Sequence, residues 1–192
     1  VAADVTQPQT LKSLPENITD IIYCAAPGQR TEEAYNAVYF EGLKNVVNAV
    51  NLSTVKRIVF ISSTAVYGDH GDDWIDENTP TDPKAFNGRI LVQTEQWLTT
   101  LSAAHAGLRT ISLRLSGIYG PGRNHLLERL KKGLASAPTD QAHWVNRIHI
   151  DDATAATVHV MNLDAPSPLY LVTDSTPLPM RVLYEELAKL VN

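Results

Sequence analysis

Apolar residues along this chain fall into two alternating spacings. Asp20-Ile21-Ile22-Tyr23-Cys24, Ile58-Val59-Phe60-Ile61, Thr110-Ile111-Ser112-Leu113-Arg114 and Leu169-Tyr170-Leu171-Val172 are short runs rich in β-branched and aromatic residues, which read as buried strands. Between them the spacing lengthens. Ala34, Val38, Leu43, Val46, Val47 and Val50 sit near helical spacing, predicting a crossover helix over residues 31–50. Further helices are predicted over 86–105, 124–134, 153–162 and 179–191. Asp151 or Asp152 is placed to cap the fourth of these five helices and Pro179 to start the last. Residues 1–6 read as a short strand followed by a helical turn at 10–14. Polar residues at 64–84 and 135–143 predict loops. Strand alternating with helix marks a parallel α/β sheet.

Composition narrows the class. At 192 residues, 44% hydrophobic and 19% charged, the chain is long enough for one core. A net charge of −5, with no cationic run beyond Lys131-Lys132, argues against a nucleic-acid or acidic-membrane partner. No apolar stretch approaches the ~18 residues of a membrane span. The lone Cys24 forms no internal disulfide, which fits a reducing, cytoplasmic setting. The histidines share no ligand spacing, Asp72-Asp73 and Asp76-Glu77 read as a solvated loop, and no metal site is expected.

The chemistry concentrates in residues 57–97. The run SSTAVYG at 62–68 ends a strand, DENTPTDP at 76–83 follows as an acidic, proline-bearing loop, and Glu95 lies on the next helix. Together these resemble the extended branch of the short-chain dehydrogenase/reductase family, the NAD-dependent epimerases and dehydratases. The resemblance implies a Rossmann-type, doubly wound parallel sheet and NAD or NADP as cofactor. It also implies a catalytic Tyr-xxx-Lys pair, in which the lysine lowers the tyrosine pKa and holds the nicotinamide ribose. Counted back from Glu95, the tyrosine position falls on Asn87 and the lysine position on Leu91. An amide exchanges no proton at useful pH and Leu carries no charge, so a factor of ~10² to 10⁴ in rate is at stake. The family's further polar residue, three before a glycine on the preceding helix, is Tyr39 ahead of Gly42, a candidate replacement acid or simply packing. Ser63 retains the usual serine position, as a substrate contact or as a strand-end cap.

The same resemblance carries over the remaining site residues. Asp4 and Val5 stand where an Asp-bearing strand end meets the adenine, and Cys24, Ala25 and Ala26 form the small-residue loop beneath the pyrophosphate. Ser62 and Ser116, at strand ends, are assigned to the cofactor. Tyr67, Arg147 and His149 are assigned to the substrate. Arg147 and His149 share one strand face, which suits an anionic or sugar-like group or a structural histidine equally. Val145 stands where nucleotide-sugar enzymes carry a phosphate-binding arginine, and Gly117 where an asparagine is frequent. None of the ten glycines makes the GxxGxxG turn that opens such a fold. The expectation is therefore an N-terminally truncated chain lacking its first βαβ unit. Residues 1–115 would be a partial dinucleotide-binding core and 116–192 mostly substrate-lobe and closing elements, in one continuous structural domain. The function implied is an NAD(P)-dependent oxidoreductase or epimerase/dehydratase-like protein acting on a small polar metabolite. The alternative is a catalytically silent NAD(P)-binding sensor or scaffold. A homodimer is an open expectation.

Overall fold

The computed structural model describes residues 1–137 and 143–191. A four-stranded parallel sheet forms its centre, in the order β1 (Asp20–Tyr23), β2 (Arg57–Ser63), β3 (Arg109–Leu115), β7 (Leu169–Val172). β2 and β3 are the inner strands of this sheet, and the β-branched run of β2 is buried on both sides. Ile58 and Phe60 face one layer and Val59 the other, all fully buried, each contributing about 1.5–3 kcal/mol. The first layer holds α1 (Glu32–Tyr35), a π-helical segment Asn36–Gly42, α2 (Leu43–Ala49) and α3 (Phe86–Ala104). The second holds α5 (Ile150–Asn162). Helices on both faces of a parallel sheet make the fold Rossmann-like.

Beyond β3 the chain leaves the sheet. β4 (Gly117–Tyr119) pairs in parallel with β6 (Arg147–His149), and β5 (Trp144–Val145) pairs antiparallel with β8 (Leu178–Pro179). Two helices, α4 (His125–Lys131) and α6 (Met180–Val191), pack together over this small lobe. The lobe does not exhaust the C-terminal part, since α5 and β7 return to complete the central sheet.

Several expected boundaries move, each for a local reason. Residues 1–6 form no strand, having no ladder partner among the described residues. Asp4 instead closes a turn that leads into a 3₁₀ helix, Pro8–Ser13. α5 is capped by His149, whose Nδ1 accepts from the Asp151 amide at 3.2 Å, so neither Asp151 nor Asp152 is its cap. Pro179 pairs with Trp144 in β8, which holds it outside α6. α4 stops at Lys131, because Gly133 takes a positive φ of 65° and the Leu134 amide returns to the Arg129 carbonyl. The helix expected over 31–50 is interrupted by the π segment. Its wider turn leaves the Val38 carbonyl to accept from the Tyr23 hydroxyl at 2.5 Å. The 135–143 loop lies mostly outside the described residues.

Candidate active site

Parallel strands deliver their C-terminal ends to one rim, where α/β folds bind ligands. Cys24, Ala25 and Ala26 follow β1, Ser63 ends β2 opposite Leu115 of β3, and Ser116 follows β3. Cys24 and Ala26 are exposed and Ala25 is half-buried. Ser63 caps a 3₁₀ turn, Thr64–Val66, its Oγ accepting from the Ala65 amide at 3.2 Å. Its hydroxyl proton has no assigned acceptor among the described residues, so capping and donation to a ligand are compatible.

α3 comes against this loop through a glycine. A Cβ at Gly88 would lie 2.4 Å from the Ala65 carbonyl oxygen and 2.5 Å from Pro83 Cβ. That approach sets half-buried Asn87 beside the loop. Leu91, one turn on, is 4% exposed and packs with Phe60 and Leu98 in the core. Its assignment to the catalytic set is corrected accordingly: Leu91 is a packing residue. Arg89 turns outward, donating to the Lys84 carbonyl and lying 3.8 Å from Glu32.

Behind the rim lies a buried polar chain that the sequence left unread. Arg114, on β3, pairs with Glu95 of α3 through Nη2 to Oε2 at 2.7 Å and through Nε to both oxygens at 3.2 Å. Ser62 Oγ donates to Glu95 Oε1 at 2.6 Å. The Tyr67 ring lies under the guanidinium, 4.7 Å away. Burial works to lower the Arg114 pKa, but the bonds from Glu95 overcome it and hold the pKa above its ordinary value. Two assignments are corrected here. Ser62 is 5% exposed with its hydroxyl committed to Glu95, and Tyr67 is 1% exposed. Both side chains brace the loop from within. Ser116 is also buried, and its Oγ has no partner among the described residues.

Tyr39 leans into an aromatic cluster, its ring 5.3 Å from Tyr35 and 6.2 Å, edge-on, from Phe60. Burial raises its pKa, Tyr35 adds to the rise, and the charge of Arg123 partly opposes both. The phenol therefore keeps its proton and is a weaker acid than a free tyrosine, with only the charge of Arg123 working in the other direction. Sequence reasoning passed over Arg123, which lies within electrostatic reach of that phenol. Its glycine-flanked setting, Gly120-Pro121-Gly122-Arg123, was the available signal.

The outer residues divide similarly. Asp4 is exposed, and its carboxylate accepts from the Thr6 amide and hydroxyl and from Gln7. The first two bonds are the largest causes of its lowered pKa. Val5 packs on the core while its carbonyl accepts from Asn45 at 2.9 Å. His149 spends Nδ1 on the α5 cap, and its Nε2 would stand 2.7 Å from a Cβ at Gly120. Arg147 lies across Gly117, its Nη1 2.6 Å from where a Cβ would be.

These residues fit a dinucleotide on one side. Small, open residues at the β1 rim admit a pyrophosphate and exposed Asp4 has acceptor capacity to spare, while Leu91 offers no polar atom for the ribose. Among the described residues no group of three or more His, Cys, Asp and Glu is placed to hold a metal. No described helix is long and apolar enough to cross a membrane.

Comparison with known proteins agrees with this geometry. The model of the NAD dependent epimerase/dehydratase family matches residues 1–171. Protein YeeZ of Escherichia coli K12 is 29% identical over 90% of this chain and 60% of its own length. The 2-alkyl-3-oxoalkanoate reductase of Stenotrophomonas maltophilia is 25% identical over 100% of this chain and 62% of its own. A solved Methylobacillus flagellatus structure, assigned to the NAD-dependent epimerases/dehydratases, superimposes with a TM-score of 0.78. It is 35% identical, over 98% of this chain and 65% of its own. RMD from Pseudomonas aeruginosa, in complex with NADPH, shares the fold at a TM-score of 0.83 and 20% identity, over 100% of this chain and 73% of its own. The chain thus spans about 60% of the length of the curated relatives it matches.

Proposed function

The chain belongs to the NAD dependent epimerase/dehydratase family, and from that footing we propose that the intact protein is an NAD(P)-dependent oxidoreductase or epimerase-like enzyme with a rebuilt proton-transfer site. The observation that carries the reading is the rim itself, where Ser63 and the Cys24-Ala25-Ala26 loop meet at the ends of adjacent parallel strands. Asp4 and Val5 would hold the adenine end of the cofactor, and Cys24, Ala25 and Ala26 would pass beneath its pyrophosphate. When bound, the nicotinamide supplies the hydride chemistry. Ser63 would donate to the substrate oxygen, Asn87 would orient it by hydrogen bonding, and Tyr39 would deliver the proton, helped by Arg123. A small metabolite with a carbonyl or hydroxyl is the substrate class.

A silent NAD(P)-binding sensor or scaffold is the second reading. It is favoured by one observation, the burial of Leu91 where the family's lysine would stand. NADH titration of the intact protein, read by fluorescence, tests both readings at once, and both require saturable binding. Oxidation of bound NADH by a panel of carbonyl compounds then separates them. Turnover on any member, or epimerisation of a hydroxyl compound by the NAD-loaded protein without net change in NADH, supports the enzyme, and neither activity supports the sensor.

A further inference from the structure

A cavity of about 610 Å³ opens in the small lobe between β4, β6, α4 and α6, within the size range of small-molecule sites. One wall is aliphatic: Leu126 and Leu127 of α4, Leu178 of β8, and Leu183 and Leu187 of α6. The other carries two guanidinium groups, Arg123 and Arg147. Among the described residues neither has a carboxylate within salt-bridge distance, and Arg147 Nε is buried with no hydrogen-bond partner. Such a group is costly to leave unpaired. Asp174 also lines the cavity, with Oδ1 already accepting from the Thr176 amide at 3.1 Å. Among the described lining residues two arginines and one aspartate, with His125 counted neutral, leave a net charge of +1.

Arg147 occupies this place because of Gly117. Its Nη1, Cδ and Cζ would lie 2.6, 3.2 and 3.3 Å from a Cβ there, so the guanidinium uses the volume any side chain at 117 would need. The sequence resemblance puts an asparagine at that position, and Val145 where a phosphate-binding arginine would be.

Resting on the oxidoreductase reading, we propose that this cavity holds the substrate and selects a monocarboxylate with an aliphatic body. The carboxylate would pair with Arg147, the Gly117–Arg147 arrangement serving as the specificity determinant, and the tail would lie on the leucine wall. Arginine matches a carboxylate in two parallel bonds. A phosphate ester, at about −1.5 to −2 charge near neutrality, overbalances the single net positive charge and meets Asp174. β4 carries the chain from Ser116 at the rim directly into the cavity wall at Ile118, Tyr119 and Arg123.

The test is calorimetric titration of the intact protein with octanoate, octanol, octyl phosphate and UDP. Octanoate should bind saturably, with octanol about tenfold weaker or more, because a charge-assisted bond is worth that factor. Arg147→Met and Gly117→Ala should each weaken octanoate by about tenfold while leaving octanol and NADH unchanged. Equal affinity for octanoate and octanol would overturn the proposal. So would tighter binding of UDP or octyl phosphate than of octanoate, or a folded Arg147→Met that keeps full octanoate affinity. The comparison on the unmodified protein decides even if a variant fails to fold. NADH is titrated separately: octanoate binding without NADH binding sinks both NAD(P) readings and leaves the carboxylate site standing, and the reverse sinks only the carboxylate.

Discussion

Arg114 Nη2 lies 2.7 Å from Glu95 Oε2, with both side chains no more than 10% exposed. This pair joins β3 to α3 directly behind the loop that carries Ser63. Removing one partner strands the other charge in the interior. Glu95→Ala should therefore lower stability by about 3–5 kcal/mol in chemical denaturation. Replacing both with leucine should recover most of that loss, because well-packed apolar groups often replace a buried pair at little cost. A mild Glu95→Ala would mean that water reaches the pair.

Gly88→Ala sets two effects against each other. Alanine is the better helix former by about 1 kcal/mol. Its methyl group, however, would stand 2.4 Å from a backbone carbonyl oxygen, where neither side can swing away. Overpacking of that kind costs about 1–3 kcal/mol, so a net fall in Tm is expected. A rise would place α3 farther from the Ala65 loop than it lies here.

Tyr39→Phe addresses the proton. If Tyr39 delivers it, turnover of any substrate found should fall by at least about tenfold, with NADH affinity unchanged. Unchanged turnover would remove Tyr39 from the chemistry and leave its ring as packing against Phe60.

Alkaline pH should weaken the fold. Burial is the leading cause of the raised pKa at Tyr23, Tyr39 and Tyr67. Above the ordinary tyrosine value of ~10 the unfolded chain loses phenolic protons that the folded one keeps. Stability is then full below about pH 10 and declines as pH rises towards the folded values. Thermal melts across pH 8–11 check this. Tyr23→Phe should flatten the decline while costing about 1 kcal/mol at neutral pH through the lost bond to Val38.

The sheet was legible because β-branched runs such as residues 58–61 admit few other structures. The SSTAVYG loop was legible as a strand-end motif. Depth was not. Counting from Glu95 finds the helix face of Leu91 but not whether that face meets a cleft or the core, which depends on Phe60 and Leu98 across the interface. Arg114 was read only as the last residue of a strand run, and its pairing was not legible because Glu95 stands nineteen positions away on another element. Tyr67 was misread for a related reason: the motif locates the loop but not which of its side chains turn inward.

The π segment between α1 and α2 alters how Tyr39 can be moved. An α-helix advances about 100° per residue, and a π turn holds one residue more than the ladder needs. Residues 36–42 therefore act as an angular offset between the helix before them and the helix after. Deleting one residue there would do more than shorten the chain. It would restore a regular screw, swing α1 round relative to α2, and take the Val38 carbonyl away from Tyr23. Tyr39 sits inside that offset, so its aim can change by a helical step that no point substitution supplies.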